Sequence, residues 1–180
     1  NPILAASLNL AGGISYTAIA HLDAVGTPQL SLFTNDETAL ALPKSRLIVR
    51  HTAQAPAVDV VLEQNNQRVA TIPNLSNPNE AVADVAPGIY AASLFVARTN
   101  PRAFGPLSLA LEDGVSYGIH AVGDVSSTNF GLIVQRTVLT ARVSVIHGVP
   151  GLPSPVDVFA GSSRLFSFDF GELRGPLVLN

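Results

Sequence analysis

The feature that most constrains the fold is an alternation of apolar and other residues with a period of two, which recurs along the chain. Successive side chains of a β-strand point to opposite faces, so this period is typical of strands with one buried face. No stretch has the apolar stripe and capping residues of a helix. The pattern predicts an all-β chain with strands at Leu4–Leu10, within Gly13–Asp23, and around Leu47, Val58, Tyr90, Leu107, Tyr117, Leu132, Val143, Val156 and Phe166.

Turn-forming residue pairs separate these predicted strands. They include Gly12-Gly13, Asn65-Asn66, Asn77-Pro78, Pro87-Gly88, Asp113-Gly114 and Pro150-Gly151. Gly, Pro, Asn and Asp are the residues that tight turns require. Many short strands joined by such turns favour a β-sandwich or a barrel.

Internal repetition is the second strong constraint. The segment 46–51, from Arg46 to His51, is echoed by 142–147, and each is followed by a Pro-containing loop and Val-Asp-Val, at Asp59 and Asp157. Each copy therefore carries the same strand, loop and strand in the same order. Repetition at a fixed period indicates an array of similar structural units.

A second echo links Gly13-Ile-Ser-Tyr16 to Gly114-Val-Ser-Tyr117. The two echoes lie 96 and 101 residues apart along the chain (142 − 46 and 117 − 16). This spacing is the size of one immunoglobulin-type domain. The sequence predicts tandem immunoglobulin-like antiparallel β-sandwich repeats of about 95 residues.

The order of the echoes predicts three segments. Residues 45–139 form a complete sandwich repeat, residues 1–40 match the C-terminal half of a repeat, and residues 141–180 match the N-terminal half. The chain thus starts and stops within a repeat. Two explanations stay open: the chain is a window from a longer array, or 141–180 pairs with 1–40 of the same or a neighbouring chain.

Composition excludes several classes of function. Apolar residues make up 47% of the 180 and charged residues 13%, with a net charge of −3, so no basic stripe is present for nucleic acid. No apolar run reaches the length of a transmembrane helix. Cys, Met and Trp are absent. A chain without sulfur resists oxidation, which suits an extracellular or cell-surface location.

His51 and His147 are the strongest candidates for chemistry. Each has the parity of buried neighbours and is followed by an aspartate, Asp59 or Asp157. A His–Asp pair orients an imidazole for base catalysis or ligates a metal, so a hydrolase using His51 with Asp59 is one hypothesis. Alternatively, each histidine pins its loop by hydrogen bonds. Recurrence of the motif with the fold favours the structural role, and we predict no enzyme and no catalytic, cofactor or metal residues.

Aromatic and acidic residues receive structural interpretations as well. Tyr16, Tyr90 and Tyr117 have core parity and are expected to tie their hydroxyls to backbone groups. Phe166, Phe168 and Phe170 predict either core or an interface that awaits a partner. The loop carboxylates are Asp23, Asp36, Glu37, Asp113 and Asp124. They predict solvated turns, with structural Ca²⁺ as the alternative, because no calcium-loop spacing is visible.

These motifs together resemble a known bacterial family. They are Arg46 to His51, Ala55-Pro56-Ala57-Val58-Asp59-Val60, Ala86-Pro87-Gly88-Ile89-Tyr90, and Gly114-Val115-Ser116-Tyr117. In this order they resemble the domain-of-unknown-function family 4397, although Pro87-Gly88 departs from the commoner Pro-Ala-Gly. The resemblance implies extracellular or surface-attached bacterial proteins, often in tandem, with immunoglobulin-like sandwich character. It marks Gly88 and Tyr90 as structural motif residues and implies no catalytic activity.

The expected function is therefore structural. We expect a repeat module of a bacterial extracellular filament, sheath or large surface adhesin. Its partners would be copies of itself or adjacent repeats, joined by strand complementation or head-to-tail packing. The alternative is an adhesion module that binds surface carbohydrate or protein. The absence of Trp and an aromatic content of 6% count against a sugar site.

Overall fold

The computed structural model describes residues 4–41, 43–99, 101–151 and 155–179, with only the backbone described for Arg142, Val178 and Leu179. Within these ranges the chain forms β-strands and no helix, which confirms the all-β prediction. The chain divides into two compact units, Asn1–Leu139 and Thr140–Asn180.

Ten strands belong to the first unit. They are β1 (Tyr16–Leu22), β2 (Pro28–Thr34), β3 (Ser45–His51), β4 (Val58–Gln64), β5 (Gln67–Leu75), β6 (Glu80–Val85), β7 (Gly88–Val96), β8 (Arg102–Leu111), β9 (Val115–Val122) and β10 (Gly131–Val138). Eight of them form two four-stranded sheets with the orders β10-β9-β3-β6 and β5-β4-β7-β8. Neighbouring strands are antiparallel except β3 and β9, which run parallel.

The two sheets bury a common core. Fourteen buried apolar residues from both sheets form one cluster, which includes Leu47 and Val49 of β3, Val60 of β4, Tyr90 of β7 and Tyr117 of β9. These side chains come from alternate positions of their strands, as expected when one face of each sheet is buried. The first unit is therefore sandwich-like.

The hairpin β1–β2 forms a separate two-stranded sheet within the first unit. Its register pairs Tyr16 with Thr34 and Leu22 with Pro28. The hairpin ends near Phe33, which is buried, and the chain then runs through residues 35–41 to β3. This placement brings the end of β2 and the following linker against β3.

Four strands belong to the second unit. They are β11 (Ala141–Ile146), β12 (Val156–Ala160), β13 (Ser163–Phe168) and β14 (Leu173–Leu179). They form two separate antiparallel ladders, β11–β14 and β12–β13. The first unit pairs β3 with β6 and β4 with β5 in the same chain order and the same antiparallel sense.

Backbone hydrogen bonds at one turn match between the two units. The N–H of His51 donates to the carbonyl of Asn79 (3.0 Å), and the N–H of His147 donates to the carbonyl of Glu172 (3.2 Å). Asn79 immediately precedes β6, and Glu172 immediately precedes β14. By this bond β14 takes the place beside β11 that β6 takes beside β3.

Residues 4–10 were predicted to form a strand, and that prediction is wrong. They form no β-ladder, and Leu8 and Leu10 are 41% and 60% exposed. A strand needs a neighbour for its backbone N–H and carbonyl groups, and alternation alone does not supply one. The placement of Phe170 in the core with Phe166 and Phe168 is also wrong, because β13 ends at Phe168 and Phe170 lies exposed in the following turn.

Candidate functional site

His51 lies at the end of β3 with its side chain buried, 1% exposed. Its Nε2 is 2.9 Å from the carbonyl oxygen of Pro56, an atom that only accepts, so Nε2 carries the hydrogen and donates it. Its Nδ1 is buried without a hydrogen-bond partner among the described residues. Burial lowers the pKa of His51, because the desolvated imidazolium is disfavoured. The ring is therefore neutral and tied to the loop.

Asp59 does not orient the His51 ring. Its Oδ1 accepts a hydrogen bond from the backbone N–H of Asn74 (2.8 Å), across the β4–β5 ladder. The free Nδ1 of His51 is the atom that an orienting carboxylate would have to contact. This geometry gives no support to a general base formed by His51 and Asp59. His51 instead holds the loop at Pro56, and Asp59 holds the backbone of β5 at Asn74.

His147 occupies the matching place in the second unit. Its side chain is buried, packed against Phe168 and Phe170 with ring centroids 5.6 and 5.9 Å away. Its Nδ1 accepts a long hydrogen bond from the N–H of Val149 (3.4 Å). Asp157 is elsewhere engaged, in contact with the Ser167 hydroxyl and in an ion pair with Arg164. No His–Asp dyad forms in the described part of this unit.

The hydroxyl groups of the three tyrosines form hydrogen bonds with backbone groups. Tyr90 donates to the carbonyl of Ala86 (2.8 Å). Tyr117 accepts from the N–H of Glu112 (3.1 Å), five residues earlier, and Tyr16 accepts from the N–H of Ala11, also five residues earlier, at 3.4 Å. Gly88 begins β7, where a Cβ would lie 2.7 Å from the Gln64 side-chain nitrogen. These contacts are structural in kind.

The loop carboxylates lie in separate turns, where Asp23 and Asp124 accept hydrogen bonds within their own loops and Asp113 accepts one from the segment before β3. Asp23 accepts from the N–H groups of Val25 and Thr27, Asp124 from Ser126, and Asp113 from the N–H of Lys44. A backbone hydrogen bond from Thr27 lowers the pKa of Asp23. Within the described ranges, no three His, Asp or Glu side chains come close enough to hold a metal ion.

The contacts of two arginines on β3 were not predicted from the sequence, although Arg46 begins the repeated motif. Arg50 is 1% exposed; its Nε donates to Glu80 Oε2 (2.9 Å), its Nη2 donates to Asn35 Oδ1 (2.9 Å), and it stacks on Phe33. Arg46 pairs with Asp84 and Asp36, both at 3.0 Å. These guanidinium groups tie the end of β2 and its linker to the outer face of β3.

His120 lies on the same outer face, opposite Arg50 in the parallel β3–β9 ladder. It is buried, and its Nδ1 has no hydrogen-bond partner among the described residues. Burial lowers the pKa of His120, the nearby charge of Arg50 lowers it further, and a hydrogen bond with Gln135 opposes both effects. His120 is therefore kept neutral beside the charged Arg50.

The second unit leaves most of its apolar surface uncovered. Of its described residues, Phe168 is the one buried hydrophobic residue. Val143, Val145 and Val158 are half-buried, although the matching positions of β3 and β4 lie in the sandwich core. Other large apolar side chains are exposed, namely Ile146, Val149, Phe159, Leu165, Phe170 and Leu173. Chains of about 40 residues usually need a disulfide, a metal or a partner to stabilise a core.

The hairpin β1–β2 also presents an uncovered apolar face. Ala18, Ala20 and Leu22 share one face of β1 and are exposed, whereas Ile19 and His21 on the other face are half-buried. Leu32, opposite Ala18, is exposed on that same face. In β9, the residues that follow Tyr117 with this parity, such as Ile119, lie in the sandwich core.

No family model, curated protein or solved structure matches this chain. The described residues contain no helix with the length and hydropathy needed to cross a membrane. The observations that bear on function are therefore those of the molecule itself: structurally engaged motif residues, and two uncovered apolar β-surfaces.

Proposed function

We propose that this chain is a structural repeat module of a bacterial extracellular filament, sheath or large surface adhesin. Its repeats are immunoglobulin-like sandwiches of about 95 residues, by the spacing of the echoes. Copies associate through the second unit, to whose β11 edge a neighbouring copy adds strands. The motif resemblance to family 4397 and a composition free of Cys, Met and Trp support the extracellular setting.

One observation supports this proposal: among the described residues, the second unit has two ladders without the strands that lie beside their counterparts in the first unit. In the first unit, β9 lies beside β3 and β7 lies beside β4, and together the sheets bury fourteen apolar residues. In the second unit, β11 pairs only with β14 and β12 only with β13 among the described strands. An apolar β-surface of this kind gains free energy when a partner covers it.

The test is the concentration dependence of assembly of the full chain. Sedimentation velocity and negative-stain electron microscopy would follow the purified protein from low to high concentration. We expect extended oligomers or filaments that lengthen with concentration, because each copy both offers and needs strands. A protein that stays monomeric at every concentration contradicts the proposal.

A matched pair of variants locates the contact. Ile146→Glu places a charge at a side chain that is 68% exposed in the second unit, and Ile89→Glu makes the same change at one 69% exposed in the first unit. Both should leave the isolated copy folded, because neither side chain is buried. We expect Ile146→Glu to suppress assembly and Ile89→Glu to preserve it. Equal effects would place the contact elsewhere.

The alternative of a carbohydrate-binding adhesion module has weaker support. An open cleft of about 400 Å³ lies beside the β1–β2 hairpin, with Leu22, Pro28, Val122 and Asp124 among its lining residues. The described residues that line it include no Phe, Tyr or Trp, although sugar sites usually present such rings. Saturable binding on a glycan array, lost when Asp124 is changed, would favour this alternative over assembly.

A further inference from the structure

We propose that β1 of one copy pairs in parallel with β11 of a neighbouring copy, with Tyr16 opposite Val143. This inference rests on the proposed function and specifies its contact. The proposed contact follows the parallel pairing of β3 with β9 inside the first unit, where Leu47 lies opposite Tyr117. The partner is a second copy of this chain.

The open edges of the two strands are complementary. β1 corresponds to β9, which has β10 on one side and β3 on the other. The one described neighbour of β1 is β2, which corresponds to β10. β11 corresponds to β3, which has β6 on one side and β9 on the other, and its one described neighbour is β14, which corresponds to β6. Among the described strands, β1 therefore lacks a neighbour like β3, and β11 lacks a neighbour like β9. An unpaired edge offers backbone donors and acceptors that parallel pairing satisfies.

The echoes of the sequence fix the register. Arg142 matches Arg46 and Tyr16 matches Tyr117, so the six opposed pairs of β3 and β9 can be transferred to β11 and β1. The transferred pairs are Arg142 with Ser15, Val143 with Tyr16, Ser144 with Thr17, Val145 with Ala18, Ile146 with Ile19, and His147 with Ala20. Side chains of opposed residues lie on the same face and touch.

Two of the six transferred pairs contain the same two residue types as the corresponding pairs of β3 and β9. Arg46 opposite Ser116 becomes Arg142 opposite Ser15, and His51 opposite Ala121 becomes His147 opposite Ala20. A shift of one residue would abolish both identities and turn every side chain of one strand to the other face. The identities stand at both ends of the paired segment, which argues for this register over its neighbours.

A third pair changes on both sides at once. The first unit places Arg50 opposite His120, a buried polar pair. The transferred pair is Ile146 opposite Ile19, so both members are apolar. A change of one member alone would leave a buried cation or imidazole against an aliphatic chain, at a desolvation cost. The matched change is what a contact between these two strands requires, and it gives the exposed Ile146 a partner.

Pairing would also bring the two apolar faces described above together on one side of a joined sheet. Ala18 and Ala20 would lie beside Val145 and His147 on the same face, as Ile119 lies beside Val49. Leu32, opposite Ala18 on the hairpin, would extend this apolar face. Val143 and Val145 would gain neighbours along the joined edge and lose contact with solvent.

Disulfide trapping tests the register without background, because the chain has no cysteine. Two differently tagged full-length variants, Ile19→Cys and Ile146→Cys, are mixed, oxidised and separated by denaturing electrophoresis without reductant. Opposed Cα atoms lie within disulfide range, so we expect a cross-linked heterodimer. The control replaces Ile19→Cys with Thr17→Cys, on the same face of β1 but two residues out of register. We expect about tenfold less cross-linking there, since the Cα separation exceeds about 7 Å.

A second pair on the other face, Ala18→Cys with Val145→Cys, covers the case in which one variant fails to fold. Equal cross-linking of the control, or none with either matched pair, overturns the register. A disulfide confined within single molecules of the Ile19→Cys/Ile146→Cys double variant overturns pairing between copies. If the unmodified protein still polymerises, the register alone has failed. If it stays monomeric, the proposed function has failed as well.

Discussion

His51 donates its Nε2 hydrogen to the carbonyl oxygen of Pro56 at 2.9 Å, so that the end of β3 holds the loop leading into β4. Replacement by alanine removes this bond and leaves a void beside the sandwich core. We expect His51→Ala to lower the free energy of unfolding by about 2–4 kcal/mol, the usual cost of truncating a large buried side chain. Urea unfolding followed by circular dichroism measures the change.

His21→Ala is the matched control for that variant. The His21 ring is half-buried and bonds to Ser31 Oγ and the carbonyl of Leu22, both within the β1–β2 hairpin. Its loss should cost less than about 1 kcal/mol, because solvent can replace these contacts. If both variants lose the same free energy of unfolding, the buried His51 and its hydrogen bond to Pro56 contribute no more to stability than the hairpin contacts of His21.

The tyrosine hydroxyls give a second prediction. In Tyr117→Phe the backbone N–H of Glu112 loses its acceptor beside the core, and we expect a loss of about 1 kcal/mol in the free energy of unfolding. In Tyr16→Phe the corresponding N–H of Ala11 is exposed, and its bond is long at 3.4 Å. Water can satisfy it, so thermal and urea unfolding of Tyr16→Phe should match the parent protein. A larger loss for Tyr16→Phe would contradict this order.

Alternation in the sequence predicted those strands in which it is regular and one face packs on the core. In β9, Tyr117 and Ile119 point inward and the strand was found from its pattern alone. Strands β2, β5, β6 and β14 were missed, because their alternation is weaker and proline lies within β2, β5 and β14. Residues 4–10 alternate but form no ladder, since pairing depends on a neighbour that a local pattern does not reveal.

The cluster around Arg50 could not be predicted in the same way. A charged residue in an alternating strand normally faces solvent, yet the linker after β2 covers this face of β3. The one available signal was the unbroken apolar run of Leu47, Ile48 and Val49, which is typical of a strand buried on both faces. Partners such as Glu80 and Asn35 lie 30 and 15 residues away in sequence, where spacing carries no information.

The ion pair between the buried Arg50 and the solvent-accessible Glu80 gives a third prediction. Glu80→Ala leaves the Arg50 guanidinium buried without its carboxylate, and we expect a loss of about 1–3 kcal/mol in the free energy of unfolding, because solvent already screens the Glu80 side of the pair. Arg50→Met in the same background removes the uncompensated charge and should recover part of that loss. Denaturant unfolding of the single and double variants measures both steps. A double variant less stable than Glu80→Ala would show that the charge was not the cause.

The two buried histidines of the first unit make stability depend on pH. Burial lowers the pKa of both His51 and His120 in the folded protein, whereas in the unfolded chain a histidine titrates near about 6.5. Below that pH the unfolded chain binds more protons than the folded one. The free energy of unfolding should therefore be flat above about pH 7.5 and fall as the pH drops from about 7 to 5.5.

Urea unfolding at intervals from pH 8 to pH 5.5 measures this slope, which cannot exceed about 1.4 kcal/mol per pH unit for each histidine. The pKa of Asp36 is lowered below 3.8 by hydrogen bonds from Thr38, so its contribution changes only in stronger acid. His120→Gln keeps a polar side chain that cannot titrate, and its slope should be shallower than that of the parent protein. An unchanged slope would mean that His120 takes up its proton equally in the folded and unfolded states. The conclusion that the folded protein keeps the His120 imidazole neutral beside Arg50 would then be wrong.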